Sequence, residues 1–485
     1  MSLSTALSNA TSGLAVTSRA ADIVSGNVAN ALTPGYARRE LELQSQTLGA
    51  LGMGVQVAGV TRVSDPLLIA DRRVAEANAS ESRTLSAGLL QIEQAIGDPT
   101  DPGSLSALAA AFEASLVEAA STPDSEPRLT ASITAARRLA QAYGDIGDRI
   151  QEVRTRADTA ISGLVDNVNA AVIRIDRLND QIQRLETAQG NDSSALLEQR
   201  QQLIDELSEI VPIREVPRAN GAVALYTDGG AVLLDGRPRL LSFEAAGFVQ
   251  PGMTLASGAL SGLELDGRPV TTGENGLLRG GELAAQFALR DEAGLEAQAA
   301  IDALARDLVE RYQDPTLDPT IAAGGAGLFT DLGVAFDPAN EEGLALRLKV
   351  NSAVDPLDGG LAWRLRDGVG AAAQGDAGQS DLITALADRF AENRSPASGP
   401  ASAQPRSVTG QIAFVLSDIS IARQSQDAET AFQTAKLTAL EEQEAESGVD
   451  TDDEMQKLLL IEQAYGANAR VIQTINQLFE ELRRI

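Results

Sequence analysis

The sequence predicts a mainly α-helical protein with a β-rich region inserted in its middle. Apolar residues recur at alternating steps of four and three near both ends, and the same spacing continues through 127–187. Residues 212–282 instead combine many glycines with alternating apolar residues. The first pattern is typical of helices and the second of strands. We therefore expect terminal helices that pair as an α-helical coiled coil, then a long-helix rod domain, then β or mixed inserted domains.

The two terminal stripes have the spacing of a coiled-coil seam, so we predict that they form an assembly seam, packed on each other within one chain and between copies. Its N-terminal members are Leu3, Leu7, Ala10, Leu14, Ala21, Val24 and Val28. Its C-terminal members are Leu458, Ile461, Tyr465, Asn468, Ile472, Ile475, Phe479 and Leu482. Asn468 is a polar member that can fix the register of paired helices, and a partly exposed asparagine is the alternative interpretation.

The first helix should end near Asn30, and turns and short strands should follow it. Pro34 and Gly35 suit the two central positions of a type II turn. Residues 40–63 alternate loosely and contain several glycines, so we expect short extended strands there. Helix should resume at about Pro66, because proline is favoured at the first position of a helix.

The longest periodic stretch, 127–187, predicts one helix of roughly 90 Å at 1.5 Å per residue. Residues 190–192 (Gly-Asn-Asp) should break this helix, and 193–210 should return along it as the second arm of a hairpin. Long antiparallel helices of this kind give a rod-shaped body.

Helix is expected again at 282–312. Residues 313–405 mix glycine, proline and strand-like runs such as 344–350, with one helix near 379–392. From Val408 onward the pattern is helical, with a single interruption at Ser447-Gly448.

The last helix has a predicted capping box at its start. Thr451 is the expected N-cap residue, and Glu454 follows three residues later, where its side chain can bond back to the cap. The acidic residues nearby also favour the positive end of the helix dipole.

These elements predict nested domains, in which the two ends of the chain form outer domains around inserted ones. The terminal coiled-coil domain comprises 1–62 and 425–485, the long-helix domain 63–211, 282–330 and 406–424, the β-rich segment 212–281, and the mixed inserted region 331–405.

Composition excludes several classes of function. The 485 residues include 68 acidic and 39 basic ones, for a net charge of −29, which disfavours binding to nucleic acid or anionic membranes. Cysteine and histidine are absent, so disulfides, thiol nucleophiles and the commonest metal ligands are excluded. We expect no enzyme, cofactor or metal. We also expect no membrane span, and no secretory signal at the N-terminus, because polar residues interrupt every apolar turn there.

Two terminal segments resemble motifs of bacterial flagellar axial proteins. The N-terminal motif residues are Asn27, Asn30, Thr33, Pro34, Gly35 and Tyr36. The run Gly-Val-Gln-Val-Ala-Gly-Val-Thr-Arg at 54–62 makes the chain more similar to the hook-associated protein 1 family than to axial proteins in general. Residues 448–454 and 463–474 also resemble the C-terminal region of that family.

The resemblance implies a structural subunit of the junction between the flagellar hook and filament. It implies copies arranged in a ring, with hook protein below and the next junction protein above. Synthesis in the cytoplasm is expected, then export through the flagellar type III apparatus without signal cleavage, and assembly outside the cell at the hook tip. A cytoplasmic export chaperone is expected to cover the C-terminal helices between Leu458 and Leu482.

Two other functions are weighed against this one. A flagellar hook or distal rod protein would share the terminal motifs, but the long helix at 127–187 argues against it, because hook-type middles are mainly β. A secreted carboxylate-dependent hydrolase with axial-protein ends is the other. The sequence shows no paired-acid motif and no histidine to support it.

Overall fold

The computed structural model describes residues 3–33, 35–48, 51–187 and 193–484, and its mainly helical architecture with small inserted sheets confirms the predicted class. The helices are α1 (Leu3–Ala29), α2 (Pro66–Ile96), α3 (Leu105–Ser121), α4 (Glu126–Thr187), α5 (Ser194–Ile210), α6 (Gly281–Ala288), α7 (Gly294–Tyr312), α8 (Leu344–Arg347), α9 (Arg364–Asp367), α10 (Asp381–Ala391), α11 (Val408–Glu446) and α12 (Thr451–Arg484). The strands are β1 (Arg38–Leu48), β2 (Leu51–Val63), β3 (Ile213–Pro217), β4 (Val223–Thr227), β5 (Val232–Leu234), β6 (Leu241–Ser242), β7 (Leu263–Leu265), β8 (Arg268–Val270), β9 (Phe329–Asp331) and β10 (Leu348–Val350).

The 62 residues of α4 run through the molecule and contribute to two separate apolar clusters. The first half of α4 packs with α3, α7, α10 and the start of α11. At the centre of this cluster the ring of Phe112 meets those of Tyr312, Phe329 and Phe390 edge-on, with centroids 5.4–6.3 Å apart. The region 331–405, expected to be an inserted unit, therefore shares the core of the long helices.

The second half of α4 packs with α5, α6 and two antiparallel three-stranded sheets, β3-β4-β5 and β6-β7-β8. A buried polar layer lies on α4 between the two clusters. There Arg154 donates to the carbonyl oxygens of Arg290 and Met253 at 2.9 and 2.6 Å, and Asp158 pairs with the Arg290 guanidinium at 2.7 Å. A single π-helical turn at Leu289–Ala293 joins α6 to α7 and places Arg290 in this layer.

The β1–β2 hairpin is longer than the short strands expected. Its antiparallel pairing extends from Arg38 opposite Val63 to the far end of both strands. The glycines that suggested interruptions lie instead at two register shifts, where Gly59 pairs with Glu42 and Gly54 with Gln46. A β-bulge of this kind absorbs an extra residue, so the strands continue past the glycines.

The run 344–350 is a strand only from Leu348, because the Asp302 carboxylate accepts hydrogen bonds from the backbone N–H groups of Gly343 and Ala345 and holds the start of α8 in a helical turn. The expected break at 190–192 lies outside the described residues, and α5 does pack back along α4. The helices expected to end near Asn30 and to span 379–392 match α1 and α10.

We use the name terminal unit for α1, β1, β2 and α12, and helical body for the remaining elements. Within the described ranges, neither apolar cluster includes a residue of the terminal unit. The chain enters the helical body from the terminal unit at α2 and returns to the terminal unit after α11. These two helices form an antiparallel pair in which Glu93 pairs with Arg423, and Arg72 with Glu444.

Candidate assembly interface

The structure brings the two predicted seam segments together, with α1 and α12 packed antiparallel along their lengths. Ala10, Val24 and Ile475 are buried in this contact. Most of the other seam residues are half-buried. Tyr465, Phe479 and Leu482 remain 49%, 38% and 58% exposed, respectively. One chain therefore covers much of its own seam but leaves Tyr465 and the C-terminal end of the seam partly exposed.

The two helices lie close together at Gly13. A Cβ atom placed on Gly13 would lie 2.7 Å from Nδ2 of Asn468, closer than a side chain can tolerate without movement. Asn468, the polar member of the seam, thus lies against a glycine, which has no side chain to occupy the same space. This pairing fixes which turn of α12 faces which turn of α1.

The motif residue Asn27 is buried at the other end of the pair, 1% exposed, and links three elements. Its amide nitrogen donates to the Arg39 carbonyl at 3.0 Å and to Glu454 Oε2 at 2.9 Å. Its oxygen accepts from the Arg39 N–H at 3.0 Å and from the Tyr36 hydroxyl at 2.9 Å. Asn27 therefore ties α1 to β1 and to α12, and all of its side-chain hydrogen-bonding capacity is used.

The other motif residues shape the turn that follows α1. Asn30 donates to the Gly26 carbonyl, and Thr33 donates from its hydroxyl to Asn30 Oδ1. Gly35 has a φ of 75°, in the left-handed region that favours glycine, and lies against the side chain of Gln202. Pro34 lies outside the described residues.

The predicted capping box of α12 is wrong. Asp450, not Thr451, caps the helix, because its carboxylate accepts from the N–H groups of Asp452 and Asp453 at 2.9 and 3.2 Å. Glu454 does not turn back toward the cap. It is 1% exposed and lies between Asn27 and Lys457, whose Nζ is 2.7 Å from Glu454 Oε1. The Glu454 carboxylate, which the capping-box motif predicts at the start of α12, is thus hydrogen-bonded to Asn27 of α1 instead.

The β1–β2 hairpin is attached to α1 through small residues. The Ser12 hydroxyl accepts from the Val55 N–H at 3.3 Å, and a Cβ atom on Gly54 would fall 2.0 Å from that oxygen. Gly54 has a φ of 104°. Gly54, the first residue of the family-like run 54–62, is therefore required both by backbone conformation and by the approach of α1.

A second apolar stripe on α12 was missed in the sequence. It lies about a quarter-turn around the helix from the seam and is exposed along its length. Its members are Leu460, Ala464, Ala467, Val471, Thr474 and Leu478. Leu460, Val471 and Leu478 are 64%, 44% and 42% exposed. Its steps of four and three are present in the sequence, but they run beside a seam with larger and more regular apolar members.

The interface is suited to binding by packing. Among the described residues, no three or more of the side chains that ligate metals are grouped closely enough to hold an ion. In the same region of the chain, no helix has the length and apolar character needed to cross a membrane.

Two family models match different parts of the chain. A family model described as "Flagellar hook-associated protein FlgK helical domain" matches residues 89–314. A second, "Flagellar basal body rod FlgEFG protein C-terminal", matches residues 444–485. The first covers all of α4 together with α3, α5, α6 and α7, and the second covers α12.

Two relatives match over nearly the full chain, and a third over about half of it. Flagellar hook-associated protein 1 of Escherichia coli strain K12 is 25% identical, with 100% of both chains covered. The protein of the same name from Bacillus subtilis strain 168 is 24% identical over 98% of this chain and 97% of the relative. The protein from Salmonella typhimurium is 29% identical over 48% of this chain and 43% of the relative.

A solved structure has the same fold. The flagellar hook junction protein FlgK from Burkholderia pseudomallei superposes with a TM-score of 0.55 at 15% identity, over 80% of this chain and 100% of that one. Fold and interface together define a helical structural protein of the flagellar axial class, closed by its own terminal helices. Within that class, the chain is similar over nearly its full length to hook-associated protein 1, and residues 89–314 match the helical domain of that protein.

Proposed function

We propose that the chain is a structural subunit of the bacterial flagellum that forms the junction between hook and filament. Copies form a ring at the hook tip, with hook protein below and the next junction protein above. The observation that carries this proposal is the α1–α12 pair, in which α1 covers one apolar stripe of α12 and leaves a second stripe uncovered.

The uncovered stripe supplies the contact between copies. Full burial of a side chain such as Leu460, Val471 or Leu478 contributes about 1.5–3 kcal/mol, so a continuous stripe of them gives a substantial driving force. Contiguous exposed apolar patches mark interaction sites in soluble proteins. In the ring, α12 of one copy packs against its neighbours and forms the wall of an inner tube, with the predicted seam residues at the contacts within and between subunits.

The subunit acts by geometry alone, and we assign it no catalytic role and no cofactor. Its two apolar clusters and polar layer hold a rigid body beside the tube, while the terminal unit forms the wall. The net charge of −29 keeps free copies apart until they are added to the growing structure.

The proposal includes export through the flagellar type III apparatus. A chain without cysteine passes through a narrow channel as an extended polymer without disulfides to reduce. The subunit is made in the cytoplasm, leaves without cleavage of a signal, and functions outside the cell. A cytoplasmic chaperone covers the region between Leu458 and Leu482, because those side chains are exposed in part even when α1 is in place.

The decisive experiment removes the uncovered stripe but keeps the helix. Leu460→Gln combined with Leu478→Gln should leave secretion and folding of the chain unchanged and should cause filaments to be lost from hooks, measured by electron microscopy and by filament protein in the medium. The matched control is Gln473→Ala with Gln477→Ala, exposed positions of α12 away from both stripes.

Deletion of residues 458–485 tests the assignment more broadly. Cells whose hooks still retain filaments after this deletion would contradict a role at the junction. Normal filament retention in the stripe variant, with the deletion still defective, would show that the contacts lie elsewhere on α12.

A further inference from the structure

The terminal unit meets the helical body mainly on one face of α5. Arg39 of β1 forms two hydrogen bonds to the Glu198 carboxylate at 2.8 and 3.0 Å. Arg62 of β2 donates to Gln201 Oε1 at 2.8 Å, and Gly35 lies against Gln202. Every one of these contacts is polar or involves glycine.

The sequence of α5 explains why this face is polar. Glu198, Gln201 and Asp205 recur at steps of three and four and therefore lie on one side of the helix. Ile204 and Leu207, fully buried in the second apolar cluster, lie on the other. The apolar side of α5 anchors it to α4, and its polar side is left to hold the arginines of neighbouring elements.

Glu198 is shared by two guanidinium groups. Besides its two hydrogen bonds with Arg39, its Oε1 lies 3.9 Å from Nε of Arg62, and that Nε is buried with no hydrogen-bond partner among the described residues. Burial lowers the pKa of Arg62, and the nearby Arg39 lowers it further, while Glu198 acts in the opposite direction. Glu198 is thus the carboxylate that contributes most to stabilising the charge of Arg62, and Glu215 also contributes.

Asp205, further along the same face of α5, is also shared by two arginines, here of α2. It lies 2.8 Å from Nη2 of Arg72 and 2.6 Å from Nε of Arg73, and Arg72 continues to Glu444 of α11 at 2.6 Å. Glu198 and Asp205 therefore connect α5 to the hairpin on one side and to the α2–α11 pair on the other.

Apolar packing does not fix the angle between the terminal unit and the helical body. No described residue of the terminal unit belongs to either apolar cluster, and a cleft of about 660 Å³ opens between the turn after α1, the start of α2, α5 and the α11–α12 connection. A contact without a close-packed core has no steep steric barrier to rotation. Directional ion pairs are left to set the orientation.

We infer that Glu198 is a positioning residue that sets the angle between the terminal unit and the helical body. Neutralising it frees the terminal unit to rotate while both units stay folded. The consequence for the junction rests on the proposed function, since a ring that adapts one tube to another needs each subunit held at a defined angle.

The test measures a distance across this contact in the isolated full-length chain. Because the sequence has no cysteine, Ser45→Cys on the hairpin and Asp180→Cys on α4, both exposed, can carry a pair of spin labels. Pulsed electron resonance then gives the distance distribution. Glu198→Gln should broaden it by about twofold or more, and 1 M salt should broaden it in the unsubstituted protein by screening the same pairs.

The control is Glu206→Gln, an exposed residue of the same helix, which should leave the distribution narrow. Equal widths in the two variants would overturn the inference. So would a broadening in Glu198→Gln that occurs only with a lowered melting temperature of the helical body, since that indicates a role in folding. Neither outcome depends on hooks, so the junction assignment is tested separately by filament retention.

Discussion

Asn27 and Glu454, separated by 427 positions in sequence, form a buried hydrogen bond of 2.9 Å that joins α1 to α12. The same asparagine is bonded to both backbone polar groups of Arg39, so one side chain fixes the helix pair and the entry to the hairpin. Asn27, an uncharged motif residue, thus holds three elements of the terminal unit together by hydrogen bonds.

Asn27→Ala should destabilise the terminal unit by about 1–3 kcal/mol, because it removes the hydrogen-bond partner of Glu454 Oε2 and of the Arg39 backbone N–H and C=O groups. Hydrogen exchange of α1 and α12 should accelerate, while that of α4 should not change. Asn476→Ala, at an exposed position of α12, is the control and should have little effect. Equal exchange rates in the two variants would show that Asn27 is dispensable for the pairing.

Gly13→Ala should weaken the α1–α12 pair, because the added methyl group would lie 2.7 Å from Asn468 Nδ2. Combining it with Asn468→Ala should recover some of the loss, giving a coupling free energy of about 0.5–2 kcal/mol in a double-mutant cycle. Gly466→Ala, where a Cβ atom meets nothing within 4 Å, should instead stabilise α12 slightly. Additive effects at Gly13 and Asn468 would contradict the close contact.

The stability of the helical body should fall as pH rises through about 6. Burial raises the pKa of Asp302 to about 6, although hydrogen bonds from Ala345 and Gly343 act against it. A carboxyl group whose pKa is higher in the folded than in the unfolded state favours folding below its ordinary pKa, and this contribution is lost as the folded-state group ionises.

The size expected for Asp302 is about 2–3 kcal/mol between pH 4 and pH 7.5. Urea unfolding at a series of pH values in the unsubstituted protein and in Asp302→Asn should show the difference between the two curves concentrated between these limits. Parallel curves would mean that Asp302 titrates normally.

Arg290→Met should destabilise the helical body by about 3–5 kcal/mol, since it leaves the buried Asp158 carboxylate without its cation. The guanidinium also stacks on Phe243 and Phe287, at 5.3 and 4.9 Å from the ring centroids. Arg279→Met is the control. Its ion pair with Asp228 lies at the surface, and its loss should cost at most about 1 kcal/mol in thermal or urea unfolding.

Much of the architecture was predictable because it depends on periodicity. The stripe of α4 is continuous, so its length and the return of α5 followed from the sequence, and Pro66 marked the start of α2 as expected. The failed prediction of the capping box has a specific physical cause. Glu454 looked like a local capping residue, and only the fold shows that a partner far away in sequence competes for its carboxylate.

The interface was predictable only to a limited extent, for a similar reason. The seam could be read from spacing, but the second stripe of α12 and the polar face of α5 acquire meaning only when their neighbours are known. Glu198 follows no motif, and its partners Arg39 and Arg62 lie on a separate hairpin. Side chains that join distant segments leave little trace in local patterns.

The division of α4 between two apolar clusters has a consequence for how the body comes apart. The first half of the helix packs into one cluster and the second half into the other. Unfolding that starts at either end of α4 therefore disrupts the polar layer around Arg154 and then the neighbouring cluster. The two clusters should therefore melt in a single cooperative transition, although each has its own set of partner elements.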